Sequence, residues 1–381
     1  MTLAARGKAS NPVVLVVYGT RPEAIKVAPV IKALEKSNDL DVVTVITAQH
    51  REMLDQVNEV FDIVPDVDLN LMQPGQTLNG IAARVLEKVD EVIVEHAPDA
   101  VLVQGDTTTV MAAGVAAFNR SVPVVHLEAG LRSGDLFSPF PEEGNRKLVS
   151  QIASLHLAPT EVSKANLLHD GIAESDIVVT GNTVIDALHW AVERPRQFSD
   201  PKLAEVVDSG RQILLVTTHR RENIGENMDN IGRAMRRLAE RYPDLVLVWP
   251  AHKNPKVRET IGPHIADLEN VISIEPVAYG EFAHVIGASH IVLTDSGGIQ
   301  EEAPSLGKPV LVLRENTERP EAVDAGTVKL IGAKEDAIVA EVSKLMDDEA
   351  AFAAMANAVN PYGDGLASGR CVDAMVKLLG S

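Results

Sequence analysis

In HLEAGLRSGDLFSPFPEEGNR, residues 126 to 146, carboxylates crowd into an unlikely place. The apolar run VPVVH before it reads as a buried strand. The chain leaves that run through Glu128 and then adds Asp135, Glu142 and Glu143, interleaved with Arg132 and Arg146. A carboxylate just past a buried strand needs partners, because an unpaired buried charge is costly. Clustered carboxylates also repel one another, which raises one pKa and leaves a proton donor near neutral pH. Asp135 is expected to form a turn and Glu143 to be a solvated helix residue, whereas Arg132 and Arg146 could pair with these acids.

Other reactive residues stand where other apolar runs end. After VVLVVY comes GTRPEAIK, in which Gly19 permits close backbone approach, Pro22 suits a first helical turn, and Arg21 and Lys26 bring positive charge near a helix start. After AVLVQ comes GDTTT, placing Asp106 beside hydroxyls, where it suits an N-cap as well as a reactive acid. Further on, TTHRREN sets His219, Arg220 and Arg221 after a strand. In DSGGIQEEAPSLGKP, Ser296, Gly297 and Gly298 open a helix. Alone they make a turn; with a helix dipole behind them their amides suit a diphosphate. Glu302 lies one helical turn past Gly298 on the same face, placed to accept hydrogen bonds from a ribose diol. Arg319 follows, with Pro320 starting another helix. One half thus offers acids with Arg21 and Lys26, the other a phosphate cradle, a sugar-binding acid and His219. Such a pairing suits a nucleotide diphosphate sugar.

The elements that must position these residues are short Val/Ile/Leu runs alternating with amphipathic stretches. Runs at 13–18, 41–47, 100–104, 123–126, 155–159 and 176–180 read as strands buried on both faces. After a polar, Pro-containing stretch the alternation restarts at 212–218, 244–250, 271–276, 290–295, 309–313 and 327–332. Continuous apolar runs alternating with helices predict parallel sheets covered on both sides. The expected fold is therefore α/β, with two doubly wound Rossmann-like domains facing a cleft. Residues 1–180 are expected to form the first domain, joined by a C-terminal helix at 368–381, and residues 181–367 the second, nucleotide-binding one. Ligands of such sheets sit beyond the carboxyl ends of the strands.

Composition narrows the function. The chain has 381 residues, too many for one ordinary core, and a net charge of -19, a field that repels nucleic acid and anionic lipid. Aromatic residues are 3%, which weakens any base-stacking reading. The single cysteine, Cys371, excludes an intrachain disulfide. The first residues lack a signal-like apolar stretch, and VVLVVY is too short to span a bilayer, so a cytoplasmic protein without nucleic-acid or membrane partners is expected. Neither G-x-x-x-x-G-K-[ST] nor a G-x-G-x-x-G after the first strand occurs, which disfavours ATP and tightly bound NAD. No Cys/His cluster or H-E-x-x-H occurs, so no metal and no cofactor are expected.

The segments GTRPEAIKVAPVI, TAQHREMLDQV, QGDTTTV, HLEAGLRSGD, PFPEEGNR, TGNTVIDAL, THRREN and TDSGGIQEEAPSLGKPVLVLRENTERPEAV closely resemble the non-hydrolysing UDP-N-acetylglucosamine 2-epimerases of bacteria. The resemblance implies a glycosyltransferase-B-like fold, a homodimer, and reversible interconversion of UDP-N-acetylglucosamine and UDP-N-acetylmannosamine, a precursor supply for cell-surface polysaccharide. It puts the catalytic acids on Asp106, Glu128 and Glu142, with His219 at the diphosphate. Ligand contacts fall on Arg21, Lys26, Phe282, Ser296, Gly297, Gly298, Glu302 and Arg319. Val277 stands where some relatives have Gln. A second, activating UDP-N-acetylglucosamine bound by some members would involve Gln49 and His252, although Glu52 replaces a Gln associated with that site.

The implied chemistry explains the number of acids. The C2 hydrogen of the sugar is not next to a carbonyl, so direct removal at neutral pH would be very slow. Loss of UDP makes C1 oxocarbenium-like and acidifies C2–H, giving a glycal with its double bond between C1 and C2. Arg21, Arg319 and the Ser-Gly-Gly amides would neutralise the leaving diphosphate, with His219 as proton donor. UDP then adds back while a proton arrives at the opposite face of C2, so at least two acids must flank it. A hydrolysing epimerase, a UDP-sugar glycosyltransferase and a non-catalytic binding protein are the competing readings.

Overall fold

The computed structural model describes residues 11–47, 51–71, 73 and 75–380, and the chain divides into two compact units, Met1–Trp190 with Tyr362–Ser381, and Ala191–Pro361. The first unit contains β1 (Val13–Tyr18), β2 (Asp41–Ile46), β3 (Val67–Asp68), β4 (Ala100–Gln104), β5 (Val124–Leu127), β6 (Leu155–Ala158) and β7 (Ile177–Val179). They form one sheet in the order β3-β2-β1-β4-β5-β6-β7, every pair parallel. All residues of β1, β4, β5 and β6 are buried, as continuous apolar strands covered by helices on both faces must be. The two-residue β3 at the sheet edge has no apolar run and left no trace in the sequence pattern.

The second unit contains β8 (Ile213–Thr217), β9 (Val246–Pro250), β10 (Val271–Ile274), β11 (Ile291–Thr294), β12 (Val310–Val312) and β13 (Val328–Leu330), ordered β10-β9-β8-β11-β12-β13 and again parallel. Its core gathers Trp249, Met228, Met235 and Leu238 against the Val/Leu-rich strands. Each sheet reverses its winding between its first strand and a later one, β1 against β4 and β8 against β11. Loops leaving the strands at such a switch point diverge to opposite faces and open a crevice between them. GTRPE and QGDTTT are brought together in one unit by this topology, and THRREN and DSGG in the other.

The helix after β1, Arg21–Glu35, starts with a capping box in which Thr20 accepts from the Glu23 amide and Glu23 returns to the Thr20 amide. Gly19 is required there, because a Cβ would lie 2.0 Å from Thr47 Oγ1. The chain returns to the first unit through the helix Ala367–Leu379. Its start is anchored by Asp186, which accepts from the Ala367 amide at 3.2 Å and the Ser368 amide at 2.7 Å. Acceptance of first-turn amides by a carboxylate satisfies donors that have no partner inside the helix. No helix among the described residues is long and apolar enough to cross a membrane.

Candidate active site

In the first unit polar and ionisable side chains gather around Glu128. This residue follows β5 with φ of 64°, a left-handed conformation costly for a residue with a Cβ and found where surrounding contacts over-determine it. Its side chain is 9% exposed. Lys26 Nζ donates to Oε1 and Gln104 Nε2 donates to Oε2, while Asn182 Nδ2 approaches Oε1 at 3.4 Å. Both oxygens are therefore met by donors, an arrangement that suits the ionised form.

Asp106 follows β4, yet it does not cap the next helix. Thr107 does so, its hydroxyl accepting from the Val110 amide, and thereby leaves the Asp106 carboxylate to pair with Arg146 at 2.6 Å. Burial raises the Asp106 pKa above its ordinary value; Arg146 opposes this, and the charge of Glu128 adds to the rise. Arg146 is fixed in turn by Glu143, 3.0 Å away. Glu143 is fully buried rather than solvated, and accepts from the Ser133 amide at 3.1 Å. The helix Glu142–Ile152 turns it inward, and the tie to Ser133 draws the loop over it. Burial works to raise its pKa, but the Ser133 amide and Arg146 outweigh that and hold it low. Asp135 behaves as a turn former, its Oδ1 accepting from the Phe137 amide at 2.9 Å. Arg132 pairs with Asp170 at 2.8 Å instead of with the loop acids.

Glu23 joins the two loops at the switch point of this sheet. Buried and 2% exposed, it accepts from the Gly19 amide at 2.6 Å and from the Thr107 hydroxyl at 2.5 Å. Burial raises its pKa against those hydrogen bonds. Arg21 opens the helix Arg21–Glu35 and is partly exposed, as is Glu142 at the start of Glu142–Ile152.

In the second unit the centre is Asp295, which follows β11 and is fully buried. It accepts from the Thr218 hydroxyl at 3.0 Å, the Arg220 amide at 2.9 Å and the Asn223 amide group at 3.1 Å, and lies 3.1 Å from His219 Nδ1. Burial works to raise its pKa, but His219 and these donors hold it low. A carboxylate beside Nδ1 favours the proton there and orients the ring. The His219 ring stacks on His252 at 5.7 Å between centroids. Burial, followed by the charge of His219, lowers the His252 pKa.

Ser296 precedes the helix Gly297–Ser305, whose start carries no side-chain cap. Arg319 lies over that start: a Cβ on Gly297 would come within 2.7 Å of its guanidinium. Glu301 steadies this guanidinium at 2.6 Å. A cation held against uncapped helix amides concentrates positive potential where an anion would bind. Glu302 is buried, with Oε2 at 3.7 Å from the Cβ position of Gly298. Phe282 is partly buried on the helix Tyr279–Ala288. A pocket of about 200 Å³ lies elsewhere in this unit, lined by Asn223, Arg314 and Gly332 among others, and includes none of Ser296, Gly297 or Gly298.

The model of the family described as UDP-N-acetylglucosamine 2-epimerase matches residues 32–376. The Escherichia coli K12 protein named UDP-N-acetylglucosamine 2-epimerase is 50% identical over 369 residues, covering 95% of this chain and 98% of the relative. The chain belongs to this epimerase family. Among solved structures, the UDP-GlcNAc 2-epimerase of Neisseria meningitidis bound to UDP-GlcNAc is 48% identical, with a TM-score of 0.83, and the match covers 96% of this chain and all (100%) of that one. The Methanocaldococcus jannaschii enzyme in complex with UDP-GlcNAc and UDP is 33% identical, with a TM-score of 0.75, over 96% of this chain and 99% of that one. The fold class is accordingly glycosyltransferase-B-like, with two Rossmann-type units.

Within this epimerase fold, Lys26, Asp106 and Glu128 share one neighbourhood, and His219, Ser296, Gly297, Gly298, Glu302 and Arg319 stand at the strand ends of the other sheet. Lys26 is engaged by Glu128, a contact between residues 102 apart in sequence that no local pattern announces. His252 stands against His219, within the same unit. Gln49 lies outside the described residues. Gln104 and Asn182 were not singled out from the sequence. A polar residue ending the otherwise apolar AVLVQ was the available signal for Gln104; Asn182 sits inside the quoted TGNT segment without a cue of its own. Among the described residues no group of three or more His, Cys, Asp or Glu could hold a metal ion.

Proposed function

We propose that the protein is a homodimeric, cytoplasmic enzyme that interconverts UDP-N-acetylglucosamine and UDP-N-acetylmannosamine by eliminating and re-adding UDP. The observation that carries this reading is the pair of unlike acids in the first unit. Glu128 is surrounded by donors, whereas burial raises the pKa of Asp106. One suits a base and the other an acid, the combination that inversion at C2 requires.

In the forward direction the C2 proton passes to a carboxylate, its bonding electrons form the C1–C2 double bond, and the C1–O bond breaks with its electrons leaving on UDP. Re-addition re-forms the C1–O bond while a proton is delivered to the other face of C2, so no atom is gained or lost. Asp106, Glu128 and Glu142 carry the proton transfers. Arg21, Arg319, His219 and the amides at Ser296, Gly297 and Gly298 bind the diphosphate, with Glu302 on the ribose and Phe282 beside the uracil. A cation and uncapped amides stabilise the charge that grows on the leaving diphosphate.

The test is incubation with UDP-N-acetylglucosamine in D₂O, followed by NMR of the sugar. Deuterium at C2 together with UDP-N-acetylmannosamine is the expected result. Free sugar as the main product, or no exchange at C2, overturns the reading.

A further inference from the structure

Gln104 ends β4 at 3% exposure, and its side-chain amide donates to Glu128 Oε2, the oxygen opposite the one taken by Lys26. Asn182 is 4% exposed. Its Oδ1 accepts from the Val184 amide at 3.1 Å, which fixes the orientation of the amide group and turns the NH₂ end toward Glu128 Oε1 at 3.4 Å. Its backbone is tied as well, donating to the Tyr362 carbonyl at 2.6 Å.

An ammonium such as Lys26 is a point donor about which a carboxylate can still rotate. A second donor on the other oxygen fixes the carboxylate plane. A neutral donor also favours the charged form without offering a proton that would compete at neutral pH. We propose that Gln104, seconded by Asn182, is the positioning residue that fixes the Glu128 carboxylate and keeps it ionised for proton abstraction at C2. The left-handed backbone at Glu128, φ 64°, is the other half of the device, since it aims the side chain at these donors. This inference rests on the C2 proton-transfer reading. The titratable groups facing Glu128 include Lys26 from the helix Arg21–Glu35, Asp106 from the loop after β4 and His126 from β5.

The test compares pH profiles of C2 exchange for the wild type, Gln104→Met and Gln104→Glu. Loss of the donor favours protonated Glu128, so the acid limb moves to higher pH, by about one unit for Gln104→Met. It moves further for Gln104→Glu, which adds a like charge. At the plateau kcat falls roughly 10- to 100-fold while KM stays within about twofold, because the nucleotide contacts are untouched. UDP affinity reports folding, and the isosteric Gln104→Glu covers the case in which Gln104→Met fails to fold. A folded Gln104→Glu with an unmoved acid limb overturns the proposal while leaving the epimerase reading intact. Absence of C2 exchange in the wild type overturns both.

Discussion

Each unit buries a carboxylate just past a strand, Asp295 after the switch-point strand β11 and Glu128 after β5, the neighbour of the switch-point strand β4, and the two are held in different ways. Asp295 is satisfied largely by its own scaffold: the His219 and Arg220 amides, the Thr218 hydroxyl and the Asn223 amide group, all from the loop after the neighbouring strand β8. Glu128 is met by the ends of side chains from three separate segments, Lys26, Gln104 and Asn182, and its backbone is strained. Backbone donors are fixed by the fold, so an acid held by them is a structural pivot that here also orients His219. An acid held by side-chain ends is oriented by groups that a single substitution removes. Under the proposed function, the difference separates an acid that builds the nucleotide end from one that carries chemistry.

The contrast is broken most directly by exchanging charge for an isostere at each centre. Glu128→Gln removes the proposed base and is expected to slow C2 exchange about 10²- to 10⁴-fold, with UDP affinity retained, since Glu128 is not among the groups proposed to bind the diphosphate, all of which except Arg21 belong to the other unit. Loss of UDP affinity in calorimetry would instead make Glu128 part of the scaffold.

Asp295→Ala should do the opposite. It strips several buried donors of their acceptor and is expected to destabilise the protein by about 3 kcal/mol, read by denaturant unfolding, and to weaken UDP binding through a disoriented His219. A variant as stable as the wild type would remove the scaffold half of the comparison.

Acid sensitivity sharpens it further. His126 and His156 are register partners on β5 and β6, and burial lowers both to about 4. They stay neutral in the folded chain but titrate near 6.5 when unfolded, so their contribution is complete above pH 6.5. It is lost as pH falls from 6.5 to 4, by up to roughly 3 kcal/mol each. The low pKa of Asp295 acts in a different window: its contribution is present above the unfolded value near 3.9 and is lost below it. His156→Leu should flatten the fall in melting temperature between pH 6.5 and 4 and leave the loss below pH 4 unchanged.

Much of this was legible in the sequence, because parallel strands covered on both faces need continuous apolar runs, and the loops after them are where ligands bind. The strand ends named Asp106, Glu128, His219 and Ser296 without any contact being known. What stayed hidden depends on distance or on a choice between neighbours. Thr107, not Asp106, caps the helix at 108, a choice made by one backbone turn. Glu143 and Glu142 differ by a 100° step around the helix Glu142–Ile152; the tie to Ser133 decided which was buried. Gln104 and Asn182 became meaningful only once β4, β5 and the loop at 181–182 were adjacent.

The smallest effect isolates the strain itself. A residue with a Cβ at φ 64° costs about 1 kcal/mol relative to glycine, which adopts that region freely. Glu128→Gly and Glu128→Ala lose the same carboxylate and the same partners, so their difference in stability reports the backbone alone. The Gly variant should be the more stable by about 1 kcal/mol. At Asp295, which has no positive φ, the order reverses: Asp295→Gly should be less stable than Asp295→Ala, because glycine there gains only chain entropy in the unfolded state. If Glu128→Gly is no more stable than Glu128→Ala, the left-handed turn is held without strain, and only the side-chain donors distinguish the two acids.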